Sequence, residues 1–93
     1  MNVALSPDKE RLCGELIAVI EKISGLLKIS GEDPLEYQGL EKVRNIAKSC
    51  DPEGKKNVIR YLDRDFRVIY DNRISSDELE KQMARAYSIA DQL

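Results

Sequence analysis

The side chains best equipped for chemistry in this 93-residue chain are its carboxylates, its arginines and its two cysteines, and there is no histidine. That absence removes the commonest general base and metal ligand. Asp63 and Asp65 stand two residues apart, and on a helix that spacing points them in different directions. Carboxylates on separate helices can converge inside a bundle, but the di-iron version of that design needs buried Glu-x-x-His pairs. Here every inward position that can be assigned from the sequence is apolar or small. Cys13 and Cys50 are too few and too far apart for a zinc site or a C-x-x-C redox motif. The segment Asp71–Leu79 imitates the second half of a calcium loop, with Ile74, Ser75 and Glu78 at positions 8, 9 and 12. Counting back puts Arg67 and Ile69 at ligand positions 1 and 3, and Asn72 where glycine is needed. A cation there would meet a guanidinium in place of a carboxylate. The expectation is a non-catalytic chain with no cofactor and no metal site.

Binding is the remaining class. The run Arg60–Arg67 holds three arginines, a tyrosine and a phenylalanine, and Arg60, Arg64, Arg67 and Arg73 together suggest a side that could meet nucleic acid. Asp63 and Asp65 interleave with them, and the net charge of −2 with pI ≈ 5.2 argues against an electrostatic footprint for nucleic acid. A protein interface fits better. Tyr61 and Val68 lie two helical turns apart on one outward stripe, with Arg64 between them, and tyrosine and arginine are frequent interface anchors. Tyr61, Arg64 and Val68 are therefore the expected partner surface. A homodimer is its simplest form, because a two-fold contact needs only one such surface. A helical bundle could also hold a small apolar ligand between its helices.

These residues have to be positioned by helices. From Pro7 to about Ile29, Leu12, Leu16, Val19, Ile20, Ile23, Leu26 and Leu27 fall in one arc at ~100° per residue, with Cys13 and Ile17 at its edge. An arc that wide covers more than one neighbour. Gly14, Ala18 and Gly25 line the opposite side, where the glycines read as tolerated flaws. Asp33-Pro34-Leu35-Glu36 carries the signals of a second helix start, with an aspartate cap, proline in the first turn and glutamate three residues after the cap. That helix spans about 34–50, with Leu35, Leu40, Val43, Ile46, Ala47 and Cys50 inward and Gly39 allowing close approach of a neighbour. Asp51-Pro52 repeats the signal for a helix over about 52–70, with Val58, Ile59, Leu62, Phe66, Ile69 and Tyr70 inward. Ser75-x-x-Glu78 is a capping box for a fourth helix over about 76–92, with Leu79, Met83, Ala86, Tyr87, Ala90 and Leu93 inward. The β-rich stretch Phe66–Tyr70 before Asp71-Asn72 leaves a short hairpin over 66–75 as the alternative.

Four amphipathic helices with short links make an all-α protein, a small antiparallel four-helix bundle formed as one domain over residues 1–93. No apolar run reaches the ~18 residues of a membrane span. Residues 1–6 are too short for a signal peptide, so the expected location is the cytoplasm. Positions 13 and 50 lie symmetrically about the turn between Ile29 and Pro34, which places the cysteines side by side. In a reducing compartment they are expected as thiols.

Overall fold

In a computed structural model, which describes residues 7–51, 53–72, 74 and 76–93, four α-helices follow one another: α1 (Pro7–Ile29), α2 (Gln38–Ser49), α3 (Lys55–Asp71) and α4 (Asp77–Gln92). A single 3₁₀ turn, Pro34–Glu36, precedes α2. The described residues contain no strand, and α3 runs unbroken through Phe66–Asp71 in place of the alternative hairpin. Arg73 and Ser75 lie outside the described residues. Helix α1 packs against α2 and α4, and α3 packs against the same two, so the helices close a ring. Neighbours run antiparallel. The start of α1 meets the end of α2 at Cys13 and Cys50, and the Nζ of Lys55 at the start of α3 donates to the carbonyl of Asp91 at the end of α4. The fold is the small helical bundle expected from the periodicity.

The wide arc of α1 explains its central place. Leu12, Cys13, Leu16, Val19, Ile20, Ile23 and Leu27 are all buried, and Ile17 and Leu26 pack at the margin. This face meets Leu40, Val43 and Ala47 of α2, Val58, Leu62, Phe66 and Ile69 of α3, and Leu79, Met83, Ala86, Ile89 and Ala90 of α4 in one core. Gly14 and Gly25 face open space, since a Cβ at either would meet nothing within 4 Å. No neighbouring helix uses the small-residue stripe there.

The structure corrects four expectations. First, α2 begins at Gln38 instead of Pro34. Asp33 does act as a local cap, its carboxylate accepting from the Leu35 amide at 2.9 Å, but it caps only the 3₁₀ turn. Leu35 is therefore 82% exposed, and the buried residue of this corner is Tyr37. Second, Asp51 accepts from the Glu53 amide in the same way, and α3 begins only at Lys55. Third, the cap of α4 is Ser76, whose hydroxyl accepts from the Leu79 amide at 3.1 Å. Glu78 is then too early to complete a capping box and accepts from Gln82 instead. Fourth, the cysteines are neighbours as expected, with Cα atoms 5.9 Å apart, but they form a disulfide and not two thiols. The thiol expectation came from an inferred compartment, whereas the Cα separation lies inside disulfide range.

Candidate partner-binding face

Helix α3 positions the expected surface through its own rotation. Leu62, Phe66 and Ile69 point into the core, which turns Tyr61, Arg64 and Val68 toward the α2 side. Val68 is 41% exposed and Arg64 is exposed, as expected. Tyr61 is half-buried, and the Nζ of Lys42 from α2 sits 5.2 Å from its ring centre. The stripe is thus one anchored tyrosine followed by an open arginine and valine. Arg64 and Val68 border a cleft of ≈ 270 Å³ whose other walls include Glu36 and Gln38.

The floor of that cleft is Asp65, which is 4% exposed. Tyr37 stands at the N-cap position of α2 and has no side chain able to cap it. The cap comes from α3 instead: the Asp65 carboxylate accepts from the Leu40 amide at 2.8 Å and also from the Gly39 amide. The positive end of the α2 dipole favours an anion in this position. Burial nevertheless dominates and raises the Asp65 carboxyl above its ordinary value, against those two amides and the nearby charges of Arg64 and Lys42. Gly39 is what lets the carboxylate in, because a Cβ there would lie 2.7 Å from the Asp65 carboxyl carbon. Asp65 is three residues after Leu62 and four before Ile69, so helical spacing alone puts it on the inward face. Its charge hid it from a search for apolar positions. Gln82 is likewise buried, so the inward faces are not wholly apolar or small.

On the α4 side of α3, Tyr70 is 60% exposed instead of inward, and Tyr87 is 37% exposed. Tyr87 packs edge-on against Phe66, ring centres 5.1 Å apart, and its hydroxyl donates to Asp63 at 2.6 Å. Burial, with the Asp63 carboxylate beside it, pushes the Tyr87 hydroxyl well above the usual tyrosine range. Asp63, Phe66, Arg67, Tyr70 and Tyr87 line a shallow depression of ≈ 420 Å³. Arg60 and Arg67 are exposed, and Arg73 lies outside the described residues. Among the described residues, no group of three or more cysteine or acidic side chains is placed to hold a metal ion, and no helix is long and apolar enough to cross a membrane. No family model, curated protein or solved structure matches this chain.

Proposed function

We propose that the protein is a non-catalytic interaction module whose α3 face, at Tyr61, Arg64 and Val68, binds a second copy of the chain. The observation that carries this reading is the cleft beside Val68, which holds both signs of charge, Glu36 and Arg64, next to an exposed apolar side chain. A surface with both signs can complement itself under a two-fold rotation, Arg64 of one copy meeting Glu36 of the other. The non-catalytic part is supported by the lack of histidine and by the buried carboxylate being committed to backbone amides. Sedimentation velocity tests it over a wide concentration range. Wild type is expected to dimerise, and Arg64→Glu with Val68→Asp to stay monomeric with an unchanged melting curve. A wild-type chain that is monomeric at every concentration and captures no partner protein refutes the assignment.

One observation favours a second reading, a nucleic-acid-associated role for the Arg60, Arg64 and Arg67 side. Of the two aspartates interleaved with these arginines, Asp65 is buried, so the outer face of α3 is more positive than its sequence count. A mobility shift that weakens steeply with salt would support that role. A cytoplasmic location belongs to the proposal only with Cys13 and Cys50 reduced. Alkylation in intact cells that finds both thiols blocked by their disulfide would exclude it.

A further inference from the structure

Between α1 and α2, next to their connecting turn, lies a cleft of ≈ 510 Å³, within the range of small-molecule sites. Its apolar walls include Ile20, Leu35 and Leu40, and its polar groups include Ser24, Glu41 and Arg44. Arg44 is half-buried, and its Nε is shielded from solvent with no hydrogen-bond acceptor. Ion pairs elsewhere join Arg11 to Asp8 and Glu15, and Arg85 to Glu15. Glu41, one turn before Arg44, does not pair with it. A guanidinium carries five donors and no acceptor, and a buried donor left unpaired is costly. This is a half-buried cation without a protein counter-charge among the described residues, beside an apolar wall in a cleft of ligand size.

We infer that this cleft binds a small monocarboxylate with an apolar body. A carboxylate offers two coplanar oxygens, which can accept side by side from the two terminal nitrogens of the Arg44 guanidinium, the part of it that stays open to solvent. Its hydrocarbon part lies along Ile20, Leu35 and Leu40, covering the side chain of Leu35 that is otherwise almost wholly in water. Glu41 sets the preference for charge: with one cation and one anion lining the cleft, a monoanion meets less repulsion than a dianionic phosphate. The site opens on the α1–α2 side of the molecule, and its lining shares only Gln38 with the cleft of the α3 face.

The test is a titration of ¹⁵N-labelled, disulfide-intact protein with decanoate below its micelle concentration, with decanol and decyl phosphate as comparison ligands. Decanoate is expected to shift amides at Ile20, Ser24, Leu35 and Leu40–Arg44, and to bind ~10-fold or more tightly than decanol, the scale of one charge-assisted hydrogen bond. Decyl phosphate is expected to bind more weakly than decanoate. Arg44→Gln should lower decanoate affinity by a similar factor, leave decanol binding unchanged and melt no earlier than wild type. Equal affinities of wild type for decanoate and decanol, or no amide shifts at millimolar decanoate, overturn the inference. That comparison does not depend on any variant folding. Full decanoate affinity in Arg44→Gln would overturn it as well.

Discussion

Asp65 does for α2 what an N-cap residue ordinarily does from within its own helix. Replacing it with alanine leaves the Gly39 and Leu40 amides without their acceptor, and the expected loss is ~1–3 kcal/mol in a denaturant melt. Gly39→Ala provides a sharper contrast. Helix propensity alone would make it stabilising by ~1 kcal/mol, but the new Cβ would sit where the Asp65 carboxyl group lies. That group ends a short, buried side chain held by backbone amides, so it cannot swing away cheaply. Overpacking of ~1–3 kcal/mol, together with a weakened cap, should make the variant less stable than wild type. A more stable Gly39→Ala would show that the cap is dispensable. The pH dependence has a definite sign. Burial lifts the folded-state carboxyl above its ordinary value of 3.8, so the folded chain keeps that proton longer than the unfolded one. Asp65 therefore contributes a stability that falls as pH rises through this window and is level above it. Asp65→Asn should flatten that part of the acid-side stability profile.

At the level of the elements, the helices were legible in the sequence wherever their apolar period was long. The bounds of α1 and most inward positions of the four helices emerge from spacing alone, although on α4 the spacing puts Tyr87 inward, where it is 37% exposed, and passes over the buried Ile89. Starts were harder, because an Asx-type cap reads the same whether it begins a helix or a single turn. Asp33 and Asp51 each cap one turn, and the helix proper begins a few residues later. Leu35 was misplaced for that reason, and Tyr37 was overlooked. Tyr70 was misplaced because an arc drawn from sequence has no fixed edge, and the position of α4 decides where it stops. The Tyr37 corner can be tested. Its hydroxyl donates to Glu32 at 2.7 Å and accepts from Asn72 of the α3 C-cap at 3.3 Å. Burial first, and the Glu32 carboxylate second, push the hydroxyl up to about 12 from 10.0. The folded chain then holds this proton where the unfolded chain releases it, so stability should drop between pH 10 and 12, and Tyr37→Phe should lessen the drop. The disulfide matters at the same scale. It joins the ends of α1 and α2 across 37 positions, and loop-closure entropy gives such a link about 4 kcal/mol. Cys13→Ser with Cys50→Ser should lose close to that amount. A loss under ~1 kcal/mol would mean that the hairpin is already ordered in the unfolded chain.

For the molecule as a whole, α1 is the element whose damage spreads furthest, because it is the longest helix and contributes the most buried side chains to the core. Leu16 and Ile23 are both fully buried, and alanine at either should cost ~2–5 kcal/mol. Unfolding free energies from denaturant melts within ~0.5 kcal/mol of wild type, the range of ordinary surface changes, would be incompatible with this core. The partner surface was less legible than the core, since spacing locates an outward stripe but not the depth to which a flanking helix covers it. Lys42 over the ring of Tyr61 is such a cover, and Arg44 emerges as a candidate ligand only once α1 and the turn at Leu35 are placed around it. The borrowed cap also has a kinetic consequence. Because the acceptor for the first turn of α2 belongs to α3, the Gly39 and Leu40 amides are protected only while the two helices stay docked. In native-state hydrogen exchange these two amides should open together with the α2–α3 contact, while amides near the disulfide-tethered end of α2 exchange more slowly. The first turn of α2 thus becomes a built-in reporter of whether the two halves of the bundle are closed.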